Sequence, residues 1–236
     1  MDFTFKPAGD QAILIEFENK IEEEINAKVR HIAKLAEKEA DNGFGEVILG
    51  YRSVLIHYNP VKLSYEQITN KLKSWNEEHF TDELSAGRKI HIPVLYGGEW
   101  GPDLEDVAKH NNLSPEEVIS IHSEGQYLVY FLGFTPGYPF MGGMSTKIST
   151  PRLSSPRVSI PAGSVGIANS QTGIYPVQSP GGWRLIGRTP LRLYDPDRVN
   201  PFLLDAGDIV YFKVINHEEF LEIEKNNQAW DICSSE

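Results

Sequence analysis

Between Gly125 and Tyr194 the chain runs for seventy residues without one Asp or Glu, and that gap limits what it can fold into. The tract carries six bases, Lys147, Arg152, Arg157, Arg184, Arg188 and Arg192, with 11 of the 20 glycines and 8 of the 15 prolines. Glycine and proline at this density interrupt helices and set tight turns, so the segment must fold as short strands and loops. The flanks are acidic: residues 1–124 carry a net charge of −10 and residues 195–236 a net of −7, which leaves −11 for the whole chain. A basic island in an acidic chain suits a small anionic ligand, because arginine offers bidentate donors to carboxylate and phosphate. The same arginines could equally pair with acids from the flanks, and both readings stand at this level.

With 236 residues and 40% hydrophobic content, the chain has enough apolar material for one large domain or two smaller ones. No apolar run approaches membrane-span length and no leader-like segment opens the chain, so a cytoplasmic setting is expected. Cys233 is the single cysteine, which excludes a disulfide framework and a thiolate metal site. The negative charge argues against broad nucleic-acid or anionic-membrane binding. Residues 102–111 and 114–122 read as two short helices joined by a turn, but Asp103, Glu105, Asp106, Glu116 and Glu117 against Lys109 would repel DNA.

Apolar periodicity divides the chain into two parts. Over residues 1–85, Ala12–Phe17 reads as a strand and Ile21–Ala40 as an amphipathic helix with Ile25, Val29, Ile32 and Leu35 near helical spacing. Val47–Leu49 and Val54–Tyr58 read as a hairpin, and Ser64 with Gln67 as a capping box opening a helix to about His79. That β-α-β-β-α order, closed by a strand at either end, predicts a ferredoxin-like α+β sandwich. Thr81–Gly87 is polar and reads as a linker. Residues 86–236 open with a strand at Ile90–Tyr96 and the two short helices, the second capped by Ser114, Pro115 and Glu117. From Tyr127 onward the segments YLVYFLGF, VSIPAG, SVGIA, RLIG, LRLYDP and DIVYFKV predict strands of a barrel or sandwich, with a terminal helix over Glu218–Glu224.

Motifs that carry chemistry are few. Gly182–Thr189 matches the spacing of a phosphate-binding loop, with Arg188 in place of its lysine. Such a loop must open a helix, whereas Pro190 and LRLYDP predict a strand, so the match is fortuitous as a Walker motif, while its arginines and glycine amides could still hold phosphate or carboxylate in another geometry. The seven histidines are scattered; His57 and His91 sit in strand patterns as packed residues, and no metal set forms. Ser164 is one residue short of a nucleophile elbow, and Cys233 has no histidine nearby. GFTPGYPFMGGM places Phe134, Tyr138, Phe140 and Met141 on a loop, either folded into their own core or offered to a partner. Gln171, Thr172 and Tyr175 are uncharged hydrogen-bonding groups suited to an amide or lactam.

Four of these segments carry a family resemblance: Ile92–Ala108 (IPVLYGGEWGPDLEDVA), GFTPGYPFMGGM, Ser155–Pro176 and Ser179–Pro196. They resemble the family of 5-oxoprolinase B subunits, also called allophanate hydrolase subunit 1 or the Kip kinase-inhibitor family. Ala8-Gly9-Asp10 is the main match in the N-terminal part. The resemblance implies a small α+β domain followed by a mainly-β cyclophilin-like barrel, without implying prolyl isomerase activity. It implies work with the A and C subunits of that enzyme to convert 5-oxoproline to L-glutamate. ATP, accompanied by Mg2+, is the implied co-substrate, at a site shared with or supplied by the C subunit. Phosphorylating the lactam oxygen would open the ring carbon to water. On this view Arg157, Arg184 and Arg188 hold anionic groups, Gln171, Thr172 and Tyr175 read the lactam, and Trp183 forms an apolar wall. Phe134, Tyr138, Phe140 and Met141 are the partner-contact candidates. An inhibitor of a sporulation-type histidine kinase is the alternative, and a urea or allophanate pathway component the third reading. No catalytic base or nucleophile is identified.

Overall fold

The computed structural model describes residues 3–77 and 87–226. The predicted helix end at His79, the linker residues 81–86 and Cys233 lie outside the described residues. The chain divides into two compact units, residues 1–86 and 87–236.

The first unit holds strands β1 (Thr4–Pro7), β2 (Ala12–Glu16), β3 (Phe44–Leu49) and β4 (Ser53–Tyr58) with helices α1 (Glu23–Glu37) and α2 (Tyr65–Glu77). The strands form one antiparallel sheet in the order β1-β2-β4-β3. Alternation turns Ile13, Ile15, Val54 and Ile56 to one face, where they pack against Val29 and Ile32 of α1 and Ile68 and Leu72 of α2. All eight are buried, and each such side chain contributes roughly 1.5–3 kcal/mol of hydrophobic stabilisation. A charge at Val29, which has no exposed surface, would break this contact. The capping box forms as its spacing predicts: the Ser64 N–H donates to Gln67 Oε1 and the Gln67 N–H to Ser64 Oγ.

In the second unit, a seven-stranded mixed sheet closes almost to a barrel. Its order is β10 (Gln171–Ile174), β9 (Ser164–Ala168), β12 (Arg184–Arg188), β5 (Lys89–Tyr96), β13 (Ile209–Val214), β6 (Tyr127–Leu132) and β7 (Pro139–Gly142). Only β5 and β13 run parallel, and the end strands β10 and β7 lie side by side. A separate ribbon pairs β8 (Arg157–Ile160) with β11 (Ser179–Gly181). Helices α3 (Leu104–Asn111) and α4 (Pro115–Ser123) pack on β12 and β13, and α5 (His217–Asn226) on β5. The Ser114 box at the start of α4 is present.

Two expectations change here. LRLYDP is not a strand: between Pro190 and Pro196 only an isolated bridge forms, Tyr194 to Phe202, because closely spaced prolines cannot donate to a ladder. GFTPGYPFMGGM is not all loop, since its second half forms β7 and pairs with β6.

A polar network lies in the barrel interior. Thr172 Oγ1 donates to the Gly166 carbonyl at 3.1 Å and lies 2.9 Å from His122 Nε2. Nε2 therefore carries the ring proton, and Nδ1 accepts from the Tyr96 hydroxyl at 2.8 Å. Tyr127 donates to the His122 carbonyl, and Phe212 stacks on the imidazole at 4.5 Å. Burial pushes the His122 pKa down to about 3 and raises that of Tyr96, so both groups stay neutral.

Candidate functional site

Outside the barrel, the same strands build an aromatic cleft. Alternation along β10 turns Thr172 and Ile174 inward and Gly173 outward. A Cβ on Gly173 would stand 2.5 Å from the Tyr138 hydroxyl and 3.1 Å from the Trp183 ring, so both rings rest directly on backbone. The Tyr175 hydroxyl likewise occupies the space that a side chain at Gly181 would need. Tyr138 meets Tyr175 edge-on at 5.5 Å and Trp183 at 5.9 Å, and all three are buried. Such contacts hold the rings in one arrangement.

Above them opens a cleft of about 170 Å³, lined by Phe134, Tyr138, Phe140, Tyr175, Trp183 and Arg152, with the Gly181-Gly182 backbone. Arg152 is its one charged lining group, exposed, with its guanidinium carbon 5.9 Å from the Trp183 ring centroid. Among the described residues it makes no ion pair. Burial raises the Tyr175 pKa, while the Trp183 backbone N–H and the charges of Arg152 and Arg157 act in the opposite sense. The phenol therefore stays protonated at neutral pH and can donate into the cleft. Aromatic walls with one donor and one uncompensated cation suit a small ring-shaped ligand that carries an anionic group.

The residues singled out from sequence fall into three groups. Tyr175 and Trp183 share the cleft with Phe134, Tyr138 and Phe140, so the lactam and partner candidates form one site. Gln171, half-buried at the β9–β10 turn, lies on the Gly173 face of β10. Thr172 and Met141 do not join them. Thr172 belongs to the His122 network, and Met141 packs in the barrel core because β7 alternation sends it to the opposite side from Phe140.

The three candidate arginines engage other partners. Arg157 makes a bidentate pair with the buried Asp103 at 2.8 and 2.9 Å, and Asp103 also accepts the Leu185 N–H. Arg184 pairs with Asp106 at 2.8 Å. Arg188 donates to the Ala162 carbonyl and stacks 5.5 Å above Trp100. Arg152 was visible among the six bases but nothing local set it apart. Only the fold distinguishes it, by setting its guanidinium over the Trp183 ring at the cleft.

The loop-like motif does not form a phosphate-binding loop. Residues 184–188 of the loop-like motif form β12, paired to β9 and β5, so their amides are used within the sheet and no helix follows. Among the described residues no cluster of three or more His, Cys, Asp or Glu could hold a metal. Nor, among them, is any helix long and apolar enough to cross a membrane.

Known proteins resemble this chain over most of its length. The family described as carboxyltransferase domain, subdomain C and D, matches residues 3–204. The 5-oxoprolinase B subunit of Bacillus subtilis is 47% identical over 228 residues, spanning 92% of this chain and 95% of that protein. The crystal structure of PH0987, a conserved uncharacterized protein from Pyrococcus horikoshii, is 50% identical and covers 92% of this chain and 100% of its own, with a TM-score of 0.56. Urea carboxylase of Kluyveromyces lactis shares the fold at 23% identity, with a TM-score of 0.73 over 95% of this chain and 23% of that one. A family match across most of the sequence and a relative similar from end to end lead to one statement: the chain belongs to the carboxyltransferase subdomain C and D family and, within it, to the 5-oxoprolinase B subunits.

Proposed function

We propose that this chain is the B subunit of a cytoplasmic, ATP-dependent 5-oxoprolinase that opens 5-oxoproline to L-glutamate together with the A and C subunits. The aromatic cleft carries this reading, with Arg152 making no ion pair among the described residues. The lactam ring lies against Trp183 and Tyr138, the ring carboxylate meets Arg152, and the Tyr175 hydroxyl donates to the lactam oxygen. Residues 184–188 form a strand rather than a phosphate-binding loop, and the nucleotide chemistry falls to the C subunit or to a site shared with it. This chain binds and orients the ring and is inactive alone.

The finer fold assignments follow the same reading. The β1-β2-β4-β3 order, with α1 joining β2 to β3 across β4, supports a ferredoxin-like sandwich, and the nearly closed sheet supports a cyclophilin-like barrel. A second reading, inhibition of a sporulation-type histidine kinase, is favoured by Phe134, which is 71% exposed at the cleft mouth.

The deciding experiment measures glutamate release from 5-oxoproline and ATP by this chain alone and with the A and C subunits. Turnover is expected only in the full mixture. Arg152→Ala should then raise KM for 5-oxoproline by roughly 10- to 100-fold, the loss of one charge-assisted contact. No turnover in any mixture of folded, associating subunits would overturn the reading.

A further inference from the structure

Phe134 adopts a backbone conformation that bulky residues avoid. Its φ is +65°, and the Thr135 N–H donates to the Gly133 carbonyl at 2.7 Å, so Phe134 stands at the centre of a left-handed γ-turn. That turn is rare and strained, and a glycine would adopt it freely. The next residue adds a second unmet cost, because Thr135 Oγ1 is buried with no hydrogen-bond partner among the described residues. The surroundings hold the turn in place: the Gly133 N–H donates to the Tyr138 carbonyl and the Tyr138 N–H to the Thr135 carbonyl. The result is an exposed aromatic ring set edge-on to Tyr138 at 5.8 Å, on the wall of the cleft that also holds Arg152. Packing does not require this ring, since most of its surface faces solvent.

A strained backbone that displays an unburied ring has its explanation in what the ring contacts when the cleft is filled. We propose that Phe134 is a specificity-determining residue of the cleft, whose ring covers the apolar face of a bound five-membered lactam and favours it over open-chain carboxylates. The proposal rests on the reading of the cleft as the 5-oxoproline site. Arg152 would hold the carboxylate of either kind of ligand, whereas only a compact ring presents a flat face to Phe134.

The test uses the assembled three-component enzyme with Phe134→Ala, Phe134→Tyr and Phe134→Gly. Removing the ring should raise KM for 5-oxoproline by roughly tenfold with kcat within about twofold, the loss of one apolar contact. Phe134→Tyr should restore KM. Phe134→Gly should share the KM defect while unfolding at a temperature no lower than the wild type, because glycine relieves the turn. In parallel, tryptophan fluorescence of the wild type and Phe134→Ala is titrated with 5-oxoproline and with glutarate. The wild type should bind the lactam more tightly, and Phe134→Ala should lose that preference.

An unchanged KM in Phe134→Ala overturns the role and leaves the enzyme assignment standing. Loss of the C subunit from Phe134→Ala on gel filtration also overturns it, in favour of a partner contact. Ring-selective binding lost in Phe134→Ala without wild-type turnover keeps the role and overturns the enzyme assignment. Neither turnover nor binding overturns both.

Discussion

Strand β10 separates two environments that differ in how their polar groups are satisfied. On its inner face, Thr172 joins His122, Tyr96 and Tyr127 in a network where each ring nitrogen has a partner and burial keeps the imidazole neutral. On its outer face, Gly173 and Tyr175 support a cleft whose rim residue is strained and whose cation meets no carboxylate among the described residues. Arginine divides along the same line, with Arg157 closed on Asp103 and Arg152 open to solvent. Networks closed on themselves stabilise the fold, and groups left open at a preformed concavity mark where a ligand supplies the missing partner.

The largest effect should come from opening the closed arginine pair. Asp103→Ala leaves the Arg157 guanidinium and the Leu185 N–H without their shared acceptor. Breaking a buried pair from one side costs about 3–5 kcal/mol, so the melting temperature should fall by roughly 10 °C. A loss below about 1 kcal/mol in urea titration would mean that Arg157 is free to serve a ligand after all.

The interior network predicts a pH dependence. His122 stays neutral in the folded chain down to about pH 3, whereas in the unfolded chain it protonates near 6.5. Below pH 6.5 the unfolded state binds the extra proton, so stability present above that value is lost as the pH falls. The slope is about 1.4 kcal/mol per pH unit, or about 2 kcal/mol between pH 6.5 and 5. His122→Gln keeps hydrogen-bonding capacity without a titrating ring, so its urea midpoint should change less over that interval. Equal slopes in the two proteins would show that His122 is not sealed from solvent protons.

What was legible in the sequence follows the range of the interactions. The Ser64 and Ser114 boxes each depend on residues three apart, so their letters were enough to place two helix starts. The strand at 89–96 and the last strand were legible because β-branched and aromatic residues cluster there. The arginine partners were not. Arg157 reaches Asp103 across 54 residues and Arg184 reaches Asp106 across 78, distances over which charge patterning says only that acids exist elsewhere. Thr172 and Tyr175 looked alike as polar groups in one stretch. Their separation to opposite faces depends on strand alternation in β10, a segment that was not among the predicted strands. Arg152 required the fold, because only the position of its guanidinium over Trp183 in the cleft distinguishes it from the other bases.

The smallest effect concerns Arg184, which sits between the two classes. It pairs with Asp106, but that carboxylate is 63% exposed and the Pro151 carbonyl is a long 3.4 Å away. A pair half in water is worth about 0–1 kcal/mol, so Arg184→Ala should shift the melting temperature by no more than about 4 °C. Arg184 is also not among the residues lining the cleft, so KM for 5-oxoproline should stay within about twofold of the wild type while Arg152→Ala raises it steeply. The two variants remove the same charge from the same basic tract. If its overall positive field attracts the substrate, both should raise KM together and the effect should fade with added salt. If Arg152 makes a direct contact, only Arg152→Ala should respond, and much of its defect should persist at high ionic strength.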